Sequence, residues 1–362
     1  MDALTSRVVS FLRFPLIVAV IFIHCNLMVK NPELETMPVF SFLAYITMKL
    51  VCITVPLFFF ISGLLFFKEG YFDLALYQKK VKRRIHTVLI PYLLWNIIYF
   101  LILGIMQLIK PDTLVILHKH ITDFRWQDFL WLFWDISQIT GLPDDQRACL
   151  VGAFWFLQCL FFLFLVSPII YYLIKYLRHF VLIIIGTLYF TDFIPEMPGI
   201  QCNAIVYFML GAYFSILGIN FIAILKRISV LPYFFIFICA ILVSYWFDEN
   251  DVVYSITDLF LQAAVFAIAA YMIENFHWKE SRYLVSSVFF VFAIHRLFSA
   301  FLMTVSYYIV PKIGNGWLIY FYYLLMVLLT VLFSLTIYQL SLKIFPKMTY
   351  ILNGKRSNVS MG

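Results

Sequence analysis

The chain has 362 residues, of which 64% are hydrophobic, 20% aromatic and only 12% charged, with a formal net charge of +7. A soluble domain carries about 25% charged residues and at most about 50% apolar ones, so this composition excludes one and predicts a polytopic membrane protein. The positive balance is therefore read against membrane topology, not as a nucleic-acid footprint.

A run of about 20 apolar residues crosses the hydrocarbon layer. By that measure the chain is an all-α membrane bundle of about ten spans, roughly 10–29, 42–67, 88–109, 153–174, 180–191, 201–218, 229–247, 255–274, 284–309 and 317–345. No small-residue cleavage site follows the first run, so it reads as a retained anchor. Lys and Arg cluster in alternate connections: 68–87, 175–179, the turn after the sixth span, and the tail with Lys347, Lys355 and Arg356. The intervening connections are acidic, with Asp192 and Glu196 in one and Asp248, Glu249 and Asp251 in the next. This alternation predicts cytoplasmic N and C termini. The expected organisation is a single membrane domain over residues 1–350, with 351–362 as a cytoplasmic tail.

Segment 110–152 is too long for a plain turn. Between His118 and Gln138 it carries Trp126, Trp131 and Trp134 among Phe and charged residues, the mixture of an interfacial helix on the extracytoplasmic face. Such a helix is also placed to roof a cavity. His118 and His120 stand two apart and do not share a helix face, and the six cysteines are scattered without a CxxC pair, so no metal site is expected.

Within the first span, Arg13 and His24 are eleven residues apart. That is three turns plus about 20°, so both leave one helix face, about 16 Å apart along the axis. A polar group at such depth faces either a cavity or a partner. The ninth run carries His295 and Arg296 at similar depth, the second carries Lys49, the eighth opens with Asp258 and Gln262, and the fourth opens with Trp155 and Gln158. Two readings stay open: a wet pocket with a base and cations, or internal pairs such as Asp258 with Lys49 or Arg296 that specify helix packing. The basic run Lys79, Lys80, Lys82, Arg83, Arg84 is read either as positive-inside retention or as a seat for a polyphosphate. Ser62-Gly63 permits close approach of a helix or ligand.

The segments Arg13 to His24, Phe59-Phe60-Ile61-Ser62-Gly63, the basic run ending Arg83-Arg84, Ile90-Pro91-Tyr92 with Trp95, Phe154-Trp155-Phe156-Leu157 and Phe289 to His295 follow one another across most of the chain. In order and spacing the chain resembles the acyltransferase-3 family of integral membrane acyltransferases. Two departures stand out: Ala153 and Phe154 occupy the place before Trp155 where the family often has a polar residue, and the cytoplasmic cluster is partly Lys. The resemblance implies transfer of an acyl group, usually acetyl, from cytoplasmic acyl-CoA to a hydroxyl or amine of a glycan or lipid-linked saccharide, in a multi-pass protein of the inner (plasma) membrane. It leaves His24 as general base or as a transient carrier of the acyl group, with His295 orienting either His24 or the acceptor, and without a metal. Arg13, Lys80, Arg83 and Arg84 would hold the donor phosphates; Ser62, Trp155, Gln158, Lys49 and Arg296 are the other candidate binding residues. A secondary transporter or flippase-like protein with a midplane polar site is the alternative; the symmetric halves typical of transporters are not visible.

Overall fold

The computed structural model describes residues 2–109, 119–140, 148–191, 194, 197–246 and 251–356. The expected acidic residues Asp192, Glu196, Asp248 and Glu249, and His118, lie outside the described residues. Among the described residues all regular structure is helical, apart from one isolated bridge between Met197 and Ile200.

Helix α1 (Ala3–His24) starts at Asp2, whose carboxylate accepts from the Thr5 amide at 2.9 Å and so satisfies one orphan donor of the first turn. The second apolar run is split into α2 (Pro38–Cys52) and α3 (Thr54–Phe66). Pro56 explains the break: it lacks an amide hydrogen, and its ring clashes with the carbonyl four residues earlier, at Cys52. The basic helix α4 (Leu74–Arg84) continues through one π-helical turn, Ile85–Leu89, into α5 (Ile90–Ile109).

Next come α6 (Trp126–Trp134), the short α7 (Ser137–Thr140), α8 (Trp155–Leu177) and α9 (Val181–Thr191). Pro168 inside α8 frees the Phe164 carbonyl, which accepts instead from Ser167 Oγ at 2.8 Å. The chain ends with α10 (Cys202–Ile216), α11 (Phe221–Leu225), α12 (Val230–Trp246), α13 (Asp251–Asn275), α14 (Arg282–Ile309), α15 (Gly316–Ile344) and α16 (Pro346–Leu352).

Seven helical stretches are long and apolar enough to cross a membrane, and Cys202–Ile216 and Val230–Val243 are shorter apolar helices beside them. One of the seven, Gly152–Thr191, holds both α8 and α9, joined through Arg178 at φ +50°. Over its described residues the protein is thus a helical, multi-pass bundle.

Helices α3 and α10 cross in close backbone contact and run parallel, with Ser215 Oγ near the end of α10 donating to the Leu64 carbonyl near the end of α3 at 2.6 Å. A Cβ on Gly63 would lie 2.1 Å from the Phe208 carbonyl oxygen, and one on Gly211 would lie 2.0 Å from that of Phe60. Small residues let two backbones approach this far, which is how helices gain packing energy where lipid offers no hydrophobic contrast. Helix α1 packs against α2, α13 and α14, so the face with Arg13 and His24 sits inside the bundle.

The interfacial helix expected between His118 and Gln138 is the nine-residue α6. Leu132 is buried there while Trp126 is 71% exposed and Trp131 and Trp134 are also exposed. Side-chain hydrogen bonds tie its end to the bundle: Tyr92 Oη donates to the Phe133 carbonyl, and Gln158 Nε2 to the Phe133 and Trp134 carbonyls at 3.2 and 2.9 Å.

The segment read from sequence as a tail from residue 351 is packed against the bundle as far as Arg356. Trp95 Nε1 donates to the Leu352 carbonyl at 3.0 Å, and Asn353, fully buried, accepts from the Phe290 amide at 3.1 Å and donates to the Ser286 carbonyl at 2.8 Å.

Candidate active site

Arg13 and His24 line one cavity of about 590 Å³, together with Ser62 of α3, Arg84 of α4, Trp155 of α8 and Arg356. Helical phase brings the first two together, because both lie on the buried face of α1. Ser62 and Gly63 divide their labour: Gly63 meets α10, while Ser62 faces the cavity.

The far end of this cavity is lined by Gln201, Asn203 and Asp258. Its near end shares Arg13, Arg84 and Arg356 with a second, basic groove of about 790 Å³, which also takes in Lys80 and Arg83. Arg84 stacks its guanidinium on Phe164 at 4.6 Å and Arg356 stacks on Phe289 at 4.5 Å. Such stacking holds the planar group while leaving its N–H edge free to donate. Lys80 is paired with Glu69 and donates to the Phe66 carbonyl at 2.5 Å.

His24 is half-buried, and its ring lies 5.1 Å from that of His295, centroid to centroid, tilted by 36°. Arg296 Nη1 sits 3.3 Å from His24 Nδ1. A guanidinium only donates, so this contact assigns the lone pair to Nδ1 and the hydrogen to Nε2 of His24. His295 has the opposite tautomer. Its Nδ1 lies 2.7 Å from the Phe292 carbonyl, which only accepts, so the lone pair is on Nε2. That Nε2 is buried and has no hydrogen-bond partner. A buried acceptor without a partner costs about 1–3 kcal/mol, and a cost kept in a core points to a role beyond packing.

Lys49 does not stand free to steady charge beside His24. It is buried and pairs with Asp258 at 2.6 Å, and Asp258 in turn lines the cavity. Gln158 lies outside the lining of this cavity, and its amide donates to the Phe133 and Trp134 carbonyls, holding α6 to α8. Gln262 donates to Tyr207 Oη at 2.9 Å, away from the cavity. Among the described residues no group of three or more His, Cys, Asp or Glu gathers as a metal site.

A family model described as an acyltransferase domain matches residues 9–339. The chain belongs to the acyltransferase-3 family. No curated protein and no solved structure matches it. The family together with the helical bundle makes this protein a membrane acyltransferase.

Several segments that carried the family resemblance do structural work in this acyltransferase. Tyr92 and Trp95 tie α5 to α6 and to Leu352. Phe154, where a polar residue often stands, is fully buried and stacks on Phe292 at 5.6 Å. Sequence reasoning missed Arg356, Asn203 and Gln201 as cavity residues. Only for Arg356 was there a signal: Asn353-Gly354 directly after a helical run marks a C-terminal cap, which here returns the chain onto the bundle.

Proposed function

We propose that this protein moves an acyl group, in the simplest case acetyl, from acyl-CoA to a hydroxyl or amine of a glycan or lipid-linked saccharide. One observation carries the reading: His24 lines a cavity whose wall includes Arg13, Arg84 and Arg356, and the same three side chains line the neighbouring groove of guanidinium and ammonium groups. The donor's phosphates would sit among Arg13, Arg83 and Arg84, with the pantetheine arm along the cavity and the thioester at His24. Gln201, Asn203 and Asp258 offer polar groups to the acceptor at the other end.

The acceptor's oxygen or nitrogen attacks the thioester carbonyl while its proton passes to the lone pair of His24. The new C–O or C–N bond forms and the C–S bond breaks; the CoA thiolate leaves and takes the proton from the imidazolium. General-base assistance of this kind contributes about 10²–10⁴-fold. The 3.3 Å contact from Arg296 is at the weak end of hydrogen bonding, so an acceptor hydroxyl competes for the same lone pair. The displaced guanidinium then lies near the developing oxyanion, where a preorganised cation lowers the barrier.

In the topology that fits this reading about ten segments cross the inner (plasma) membrane, the shorter apolar helices included, with both termini and the basic groove in the cytoplasm. The test is thioester loss. Purified protein hydrolyses or transfers acetyl-CoA, and His24→Ala removes turnover by at least about 100-fold while its melting profile is retained. Normal turnover by that variant overturns the mechanism, and solute flux without thioester loss favours a transporter.

A further inference from the structure

A strongly basic groove is assembled from stretches far apart in the chain. Nine Lys and Arg side chains line the groove beside α4, against two carboxylates, Glu69 and Glu280, and Glu69 is already paired with Lys80. Arg356 arrives from the opposite end of the chain to Arg13, yet both line the groove and the cavity alike.

Its position is built. After α16, Gly354 and Lys355 both take the left-handed backbone region, at φ +63° and +58°, and the turn closes with Lys355 N donating to the Tyr350 carbonyl at 2.8 Å. A Cβ on Gly354 would lie 2.4 Å from the Thr87 carbonyl oxygen, so only glycine fits against the π-helical turn. Arg356 Nη2 then donates to that same carbonyl at 3.3 Å, and the guanidinium lies over the Phe289 ring, 4.5 Å from its centroid. Several cations held together with few anions of their own describe a receptor for a multiply charged phosphate.

We propose that the Asn353–Arg356 turn is a phosphate clasp, with Arg356 gripping a phosphate of a nucleotide at the junction of groove and cavity. The inference rests on the acyl-CoA reading and adds to it a residue outside the helical run that carries the basic motif. A phosphate could also come from an anionic lipid headgroup. The nucleotide is favoured because Arg13, Arg84 and Arg356 line both the groove and the cavity that holds His24, so a group attached to the bound phosphates has a cavity beside it to enter.

The probe is adenosine 3′,5′-bisphosphate, titrated against the full chain in phosphatidylcholine nanodiscs and again in nanodiscs with phosphatidylglycerol. Wild-type protein is expected to bind it, and Arg356→Gln to weaken binding about tenfold or more. Gly354→Ala, which keeps the charge but displaces the turn, is expected to weaken it similarly. A second readout guards against misfolding: the ratio of kcat/KM for acetyl-CoA to that for S-acetylpantetheine, which lacks the nucleotide, should fall at least tenfold in Arg356→Gln. Equal loss with both donors, unchanged nucleotide affinity, or no binding by the wild type each overturns the clasp. Effects that appear only as altered response to phosphatidylglycerol assign the groove to lipid and overturn it too. Because nucleotide binding is measured without turnover, it separates failure of the clasp from failure of the His24 mechanism.

Discussion

Arg296 and His24 meet across the α1–α14 interface, guanidinium Nη1 to imidazole Nδ1 at 3.3 Å. The contact fixes which ring nitrogen carries the lone pair, and so Arg296 is a positioning residue for the proposed base. Arg296→Ala is expected to lower kcat about 10–100-fold with donor KM nearly unchanged, and Arg296→Lys to recover part of that loss. Steady-state kinetics of thioester release check this; a rise in donor KM alone would move Arg296 into donor binding.

His295 keeps a buried Nε2 without a partner. Replacing it with phenylalanine removes the unsatisfied acceptor in a residue that is 0% exposed, at some cost in added volume. The expected result is a melting temperature equal to or above wild type, with turnover reduced at least about tenfold. Such an opposition between stability and activity is the mark of a site group. A variant that is less stable and fully active would make His295 a packing residue.

The buried pair Lys49–Asp258, at 2.6 Å, joins α2 to α13. Removing one partner leaves a buried charge, and Lys49→Met should cost about 3–5 kcal/mol. The double variant Lys49→Met with Asp258→Leu should recover most of that stability. Since Asp258 also lines the cavity, the double variant is expected to raise the acceptor KM while donor hydrolysis continues. Denaturation curves and acceptor-dependent rates measure the two effects separately.

Ser62 and Gly63 are neighbours with different duties. Gly63→Ala forces a Cβ toward the Phe208 carbonyl oxygen at 2.1 Å, so α3 and α10 must separate; overpacking of this kind costs about 1–3 kcal/mol or more. Ser62→Ala should leave the melting temperature within about 1–2 °C and change only kinetic constants. Thermal unfolding of both variants in the same detergent decides the matter.

What the sequence reveals here follows from what is local. Among the described residues each apolar run lies largely on helix, and Arg13 with His24 share a face because helical phase is set by residue count alone. Charge complementarity made Lys49 and Asp258 a readable option as a pair. The break after Cys52 was also within reach, since Pro56 excludes the hydrogen bond that would continue the helix, but a high apolar content across 42–67 concealed it. Gln158 shows the limit: its place at the start of a span suggested the cavity, yet its direction depends on where α6 packs. Arg356 was hidden for the same reason, because only the folded bundle shows what the Asn353-Gly354 turn lies against.

The shared wall formed by Arg13, Arg84 and Arg356 sets an order of events during assembly. Closing contacts over such separations is entropically costly and slow, so early helices alone cannot build the pocket. A half-inserted chain would hold its imidazole on α1 but no seat for a nucleotide beside it. On the proposed acyl-CoA reading, turnover would wait until α14 and the turn beyond α16 have docked.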